Sequence, residues 1–236
     1  MSWAPANNRD PAWSDVQLWF ETFDAILRGL GHSLNNRALA LSATIESLDP
    51  KRPVGQKLVT MLTRESERLT EQLRQLRSLP FAVDREPMPI LPRDTLFAAI
   101  QLHRAHSSLG EISTYLEGTA DTPPVLAPES ALLHATLVTL TALKSFVAPG
   151  GLVRINCSGT PDRAEIVFRA QRDPSDLHEA LSGPMLVRPT ALSAALLGSD
   201  LLEIEQQITP DVVTLIWSLP SLKAMRRRSR EASAAI

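Results

Sequence analysis

One cysteine, Cys157, stands alone in 236 residues. No internal disulfide can form, and no thiol cluster exists to hold zinc. A small buried residue on a strand is the role that remains for it. A charge excess is missing as well: Lys and Arg number 24 against 26 Asp and Glu, a formal net charge of −2. A general nucleic-acid binder would carry a clear basic surplus. No apolar run reaches the roughly 18 residues that begin to span a bilayer, and no signal peptide is recognisable. The expectation is a soluble, cytoplasmic protein with neither a membrane nor a nucleic acid as partner. His103, His106, His134 and His178 show no ligand spacing with carboxylates or a thiol, so they read as surface or core residues.

What the chain does have is one long helical pattern. From Phe23 to Leu48, apolar residues recur at 23, 27, 30, 34, 38, 41, 45 and 48. Steps of three and four make a continuous stripe. His32 lies two residues from both Leu30 and Leu34, about 200° around the helix from each, so it points off the stripe toward solvent. An exposed imidazole, with a reference pKa near 6.5, offers a neutral nucleophilic nitrogen at cytoplasmic pH.

The rest of the chain divides at its prolines. Residues 1–14 form an N-terminal arm, with Trp3 and Trp13 available to cap a bundle end. Ser14 or Asp15 caps a helix running to about 48. Asp49-Pro50-Lys51-Arg52-Pro53 is a turn, since two prolines stop a helix. A second helix, about 54–79, repeats Leu58, Leu62, Leu69, Leu73 and Leu76, with charge on its other face. Two such helices make an antiparallel hairpin over 15–79. Alone it buries little, and two copies would complete a four-helix bundle, which predicts a homodimer through 15–79. The alternative is that the hairpin packs on its own chain.

Residues 80–92, with Pro80, Pro87, Pro89 and Pro92, read as a linker. Beyond it, 93–221 alternates helices and strands. A helix covers about 94–107, a strand 111–116 and a loop 118–128. A second helix opens at Pro128-Glu129. Strands at 152–157 and 163–170 form a hairpin, a helix from Pro189 ends at Gly198, and a last hairpin joins 200–206 to 211–219. This order predicts an α/β sandwich, one mixed sheet covered on one face. The tail 222–236, with Arg226, Arg227, Arg228 and Arg230, reads as a disordered, solubilising end.

The segment His32-Ser33-Leu34-Asn35-Asn36-Arg37-Ala38-Leu39 resembles the phospho-accepting helix of histidine kinases and histidine phosphotransferases. Residues 93–220 resemble the ATP-binding domain of histidine kinases. That resemblance rests on element order and on Pro123-Pro124-Val125-Leu126-Ala127, Ala142-Leu143-Lys144-Ser145 and Pro149-Gly150-Gly151-Leu152-Val153-Arg154-Ile155. It implies a phospho-acceptor role for His32, a water-positioning role for Asn36 in phosphatase activity, and a phosphate contact for Arg37. Ser33 stands where the family usually carries an acidic residue that orients the imidazole, which weakens autophosphorylation.

The same resemblance implies nucleotide motifs that this chain does not carry. The Mg²⁺-supporting helix Asn is missing; the matching helix offers Thr136, Leu137, Thr139, Thr141 and Lys144. No Asp-x-Gly-x-Gly follows the third strand, where the chain reads Phe168-Arg169-Ala170-Gln171-Arg172-Asp173-Pro174. The second glycine motif is replaced by Val187-Arg188-Pro189-Thr190-Ala191-Leu192. The expected fold is therefore α+β: an N-terminal helical hairpin forming a dimeric four-helix bundle, then a degenerate histidine-kinase ATPase-like α/β sandwich. The expected function is histidine phosphotransfer between receiver-domain aspartates through His32. No cofactor is expected in this chain, and Mg²⁺ is expected on the partner receiver domain. A non-catalytic pseudokinase scaffold, a divergent autokinase and a response-regulator phosphatase using Asn36 are the competing readings.

Overall fold

A computed structural model describes residues 11–48, 55–79, 86–104, 113–118, 122–147, 151–172, 190, 193–194, 197–198 and 202–234. The expected turn at 49–53, Asp173, and the stretch 174–189 lie outside these residues. The chain is α+β. Two helices, α1 (Pro11–Glu46) and α2 (Gln56–Ser78), form the hairpin. There follow β1 (Met88–Ile90), α3 (Pro92–Arg104), β2 (Ser113–Gly118), β3 (Val125–Ala127), α4 (Glu129–Phe146), β4 (Leu152–Thr160) and β5 (Arg163–Gln171). Helical residues at Thr190, Ser193, Ala194 and Leu197 precede Gly198, whose positive φ of 85° closes that segment as a glycine can. β6 (Glu203–Ile208), β7 (Val212–Pro220) and α5 (Leu222–Ala234) complete the chain.

The main sheet has the order β2-β4-β5-β7-β6. β2 pairs parallel to β4, and the other neighbours are antiparallel. Alternation along the strands makes one face apolar. Val153, Ile155 and Cys157, then Ala164, Ile166, Phe168 and Ala170, then Val213, Leu215, Trp217 and Leu219 all point inward and are buried. In register, Cys157 faces Ile166 and Ile166 faces Trp217. The Phe168 and Trp217 rings lie 4.8 Å apart, within range for a favourable tilted pair.

Helix α4 is buried nearly all round, which suits a helix covered on two sides. Leu132, Ala135, Leu140, Leu143 and Phe146 belong to the sheet core. Leu133 and Leu137 belong to a second cluster with Ile26, Leu30, Leu79, Ala99 and Leu102. The hairpin base thus docks on α3 and α4 of its own chain. Burial of each large aliphatic such as Ile26 or Leu30 contributes about 1.5–3 kcal/mol. The residues doing so are Thr22, Ile26 and Leu30, one face around from part of the expected stripe. Beyond Leu30 that stripe finds little cover: Ala38 is exposed and Ile45 is 58% exposed.

Several expectations change. Helicity begins at Pro11, four residues before Asp15, as a proline at a first helical turn allows. The linker holds a strand, because Met88–Ile90 pairs antiparallel with Val125–Ala127, itself inside the expected loop. The strand expected at 111–116 is described over Ser113–Gly118 and the helix expected at 94–107 over Pro92–Arg104, with 105–112 outside the described residues. The basic tail is the helix α5. Its start is capped by Ser221, whose hydroxyl accepts from the Ala224 N–H at 3.1 Å and donates to the Pro161 carbonyl at 2.7 Å.

Candidate functional site

The local geometry around His32 follows from helical spacing. Residues 24, 28, 32 and 36 are four apart and form one column along the outer face of α1. Asp24 pairs with Arg28. The Asn36 side-chain amide donates to His32 Nε2 at 3.0 Å. In the tautomer with its hydrogen on Nδ1, Nε2 accepts this bond. The imidazole is exposed. The amide thus covers the Nε2 lone pair, which has to be released before that nitrogen can attack, while the rest of the ring faces solvent.

The flank toward α2 is pinned instead. Ser33 Oγ accepts from the Gln72 side-chain amide across the hairpin. One turn on, Arg37 Nη1 donates to Glu65 Oε2 at 2.8 Å, and Arg68 Nη1 donates to Glu65 Oε1 at 2.6 Å. Partial burial raises the Glu65 carboxyl pKa, but the hydrogen bonds and positive charges of Arg37 and Arg68 outweigh it, and the net shift is downward. Glu65 stays ionised and clamps both arginines. These two rungs fix the rotation of α1, and so the direction His32 faces.

Of the residues singled out in the sequence, His32 and Asn36 are brought together on the open face. Ser33 and Arg37 turn to α2, where their polar groups hold the hairpin. Arg28 has no counterpart in the sequence reading, although its spacing of four from His32 is the signal that finds it. Its guanidinium is 73% exposed and is the cation one turn before His32 on the same column. Gln72 and Glu65 were missed because they lie 39 and 28 residues away from their partners.

Behind the hairpin sits His134 of α4, in ring contact with Trp19 of α1. It is buried, and neither ring nitrogen has a hydrogen-bond partner. Burial pushes its pKa down to about 4. Cys157 is buried on β4 as expected, and burial pushes its thiol pKa up.

The side of α4 expected to face a nucleotide is occupied by protein contacts. Thr136 Oγ1 donates to the Leu132 carbonyl and Thr141 Oγ1 to the Leu137 carbonyl, back along the helix. Thr139 Oγ1 lies 3.1 Å from Ser193 Oγ, both fully buried, so α4 and the helical segment before Gly198 touch directly. Arg172, after β5, stacks its guanidinium 4.9 Å over the Phe146 ring. Among the described residues no three His, Cys, Asp or Glu side chains group to hold a metal ion, and no helix is long and apolar enough to cross a membrane.

No protein-family model matches the sequence, and no curated protein matches it. Solved structures do. The nucleotide-free catalytic domain of histidine kinase ThkA is 10% identical, with 58% of this chain and 97% of that chain covered and a TM-score of 0.47. A histidine kinase from Burkholderia phymatum is 13% identical over 90% of this chain and 98% of that one, TM-score 0.45. ThkA in complex with the response regulator TrrA is 10% identical over 93% of this chain and 69% of that one, TM-score 0.46. The likeness to histidine kinases is one of chain path, and it assigns no role to any residue.

Proposed function

We propose that this chain is a phosphorelay protein in which His32 takes a phosphoryl group from an aspartyl phosphate on a receiver domain and passes it on, without binding ATP. The observation that carries this reading is the exposed imidazole with Nε2 bonded to the Asn36 amide, on a helix locked in rotation by Gln72 and Glu65. In the transfer, the Nε2 lone pair attacks phosphorus, and the bond from phosphorus to the aspartyl oxygen breaks, leaving a carboxylate. In the tautomer with its hydrogen on Nδ1, no proton has to leave in that step. The Asn36 amide gives up Nε2 as phosphorus arrives and donates to a phosphoryl oxygen instead. Arg28, exposed on the approach side and paired with Asp24, exchanges that carboxylate for a phosphoryl oxygen. The acyl phosphate is already activated, so positioning contributes most of the rate. The receiver is expected to bring its own Mg²⁺.

Direct contact of α4 with the segment before Gly198, and the inward-turned hydroxyls of α4, support a second domain that serves as a docking body and not as a nucleotide site. A homodimer through the hairpin is part of the same reading. Leu39, Ile45, Val59 and Met61 are each 42% exposed or more, and a second copy is what would cover them.

The deciding experiment follows phosphoryl label onto wild type and His32→Ala, first from ATP alone and then from a phosphorylated receiver. Label from the receiver only, lost in the variant, is the expected result. Label from ATP alone would mean an autokinase. No label from either source would leave a scaffold that binds a receiver or kinase. Arg28→Gln should keep the reaction but slow it by about tenfold, the usual scale of one charge-assisted contact.

A further inference from the structure

The C-terminal helix carries a surface feature that phosphotransfer does not use. Lys223, Arg226, Arg227 and Arg230 of α5 follow the spacing i, i+3, i+4, i+7 and share one stripe. With Pro123, Pro124, Pro161 and Leu222 they line a cleft of about 580 Å³. Prolines and leucine make its floor apolar, and the cations stand around it. Arg227 reaches Asp162 at 3.3 Å, while Lys223, Arg226 and Arg230 have no carboxylate partner among the described residues. Like charges four apart destabilise a helix by a few tenths of a kcal/mol per pair, and this stripe contains two such pairs.

The start of the helix that carries them is nonetheless tied down. Besides the Ser221 cap, the Leu222 N–H donates to the Pro124 carbonyl at 2.8 Å and the Ser221 N–H to the Asp162 carbonyl at 2.9 Å. Ser221 also bridges to Val125. A merely solubilising end needs none of these ties.

We propose that this cleft binds an acidic segment of a partner protein, with an apolar side chain seated between the prolines and carboxylates meeting Lys223, Arg226 and Arg230. Three observations favour a peptide over other anions. The stripe is about 10 Å long, the reach of three extended residues. The apolar side of α5 is already spent on its own domain, with Ala224 buried and Leu222 and Met225 partly so, which leaves nothing to insert into lipid. The floor of Pro123, Pro124, Pro161 and Leu222 is apolar, which suits a peptide side chain and offers nothing to a polyphosphate backbone. The proposal is independent of the role of His32.

The test is a fluorescence-anisotropy titration of the full chain with a short labelled peptide of Asp and Glu around a central Leu pair. Its Asn/Gln counterpart, a single-stranded oligonucleotide and phosphatidylserine vesicles are run beside it. Saturable binding of the acidic peptide is expected, weakened by salt and by at least about tenfold in Lys223→Gln/Arg226→Gln/Arg230→Gln. Arg226→Lys/Arg230→Lys keeps the charge and should keep the affinity, and its thermal midpoint with that of the triple variant separates lost binding from lost folding. The proposal is overturned by equal binding of the amide peptide, by unchanged binding in a folded triple variant, or by no saturable binding. Tighter binding of the oligonucleotide or the vesicles overturns it in favour of nucleic acid or lipid.

Discussion

The two ends of α1 and the sheet domain bury their apolar residues differently. In the sheet domain every large inward side chain is covered: Trp217, Phe168, Phe146, Leu132 and Leu143 are at most 2% exposed. In the hairpin, burial stops at Leu30, and Leu39, Ile45, Val59, Met61 and Leu73 are 42–60% exposed. One region closes its core within a single chain. The other closes only its base, leaving Phe20 at 63% on the outside of that base and the seam beyond Leu30 largely open. A sheet bonds to its neighbours and is capped by α3 and α4, whereas two helices offer each other a single seam. The lesson is that the closed core and the open apolar surface are separated along the chain, the first lying in 86–234 with the hairpin base docked on it and the second on the distal hairpin.

This contrast can be broken most forcefully at the sheet. Trp217→Ala should cost about 3–5 kcal/mol and remove cooperative unfolding, read by denaturant melts. A small loss there would mean the sheet core is not the main store of stability. Next comes the seam between the regions. His134 has a depressed pKa in the fold, so the unfolded chain binds more protons between the ordinary value of 6.5 and about 4. Stability is full above pH 6.5 and should fall by up to about 3 kcal/mol as pH drops through that window, flattening below it. His134→Leu should remove that slope, and an unchanged slope in the variant would assign it to other groups.

Smaller effects sharpen the contrast on the hairpin. A Cβ built on Gly31 meets nothing within 4 Å, so Gly31→Ala should stabilise α1 by about 0.5–1 kcal/mol in thermal melts. Because that open space adjoins His32, the same variant should slow phosphotransfer. Smallest on the fold, within about 0.5 kcal/mol, should be Leu39→Glu with Ile45→Glu, as expected of exposed positions. On the proposed hairpin dimer, that pair should nevertheless give a monomer by light scattering. If it melts the chain instead, the distal hairpin has a core of its own.

Much of the architecture was legible because it is local. Pro128-Glu129 opens α4, the strand pairs 152–160 with 163–171 and 203–208 with 212–220 form hairpins, and Leu58, Leu62, Leu69 and Leu76 mark the α2 seam. What escaped the sequence depends on contacts between distant residues. β1 and β3 are three residues each amid prolines, and only their mutual pairing makes them strands. The helicity of α5 was hidden by its charge, since its anchors, the Pro124, Pro161 and Asp162 carbonyls, are far off in sequence. At the site, the outward aim of His32 and its spacing to Asn36 were readable. The rungs to Gln72 and Glu65 were not, because helix spacing says nothing about which residue of a second helix lies opposite.

The 36-residue length of α1 has a mechanical consequence. Leu30 is its last deep anchor, and Glu46 lies about 24 Å beyond it. Any tilt of the hairpin against the sheet domain pivots near Leu30, so displacement grows toward the tip and is least beside the pivot. His32 is two residues from that fulcrum. Under such a tilt the imidazole would keep its place while the tip moved, so a partner of the proposed kind bound at the tip would keep its aim on Nε2.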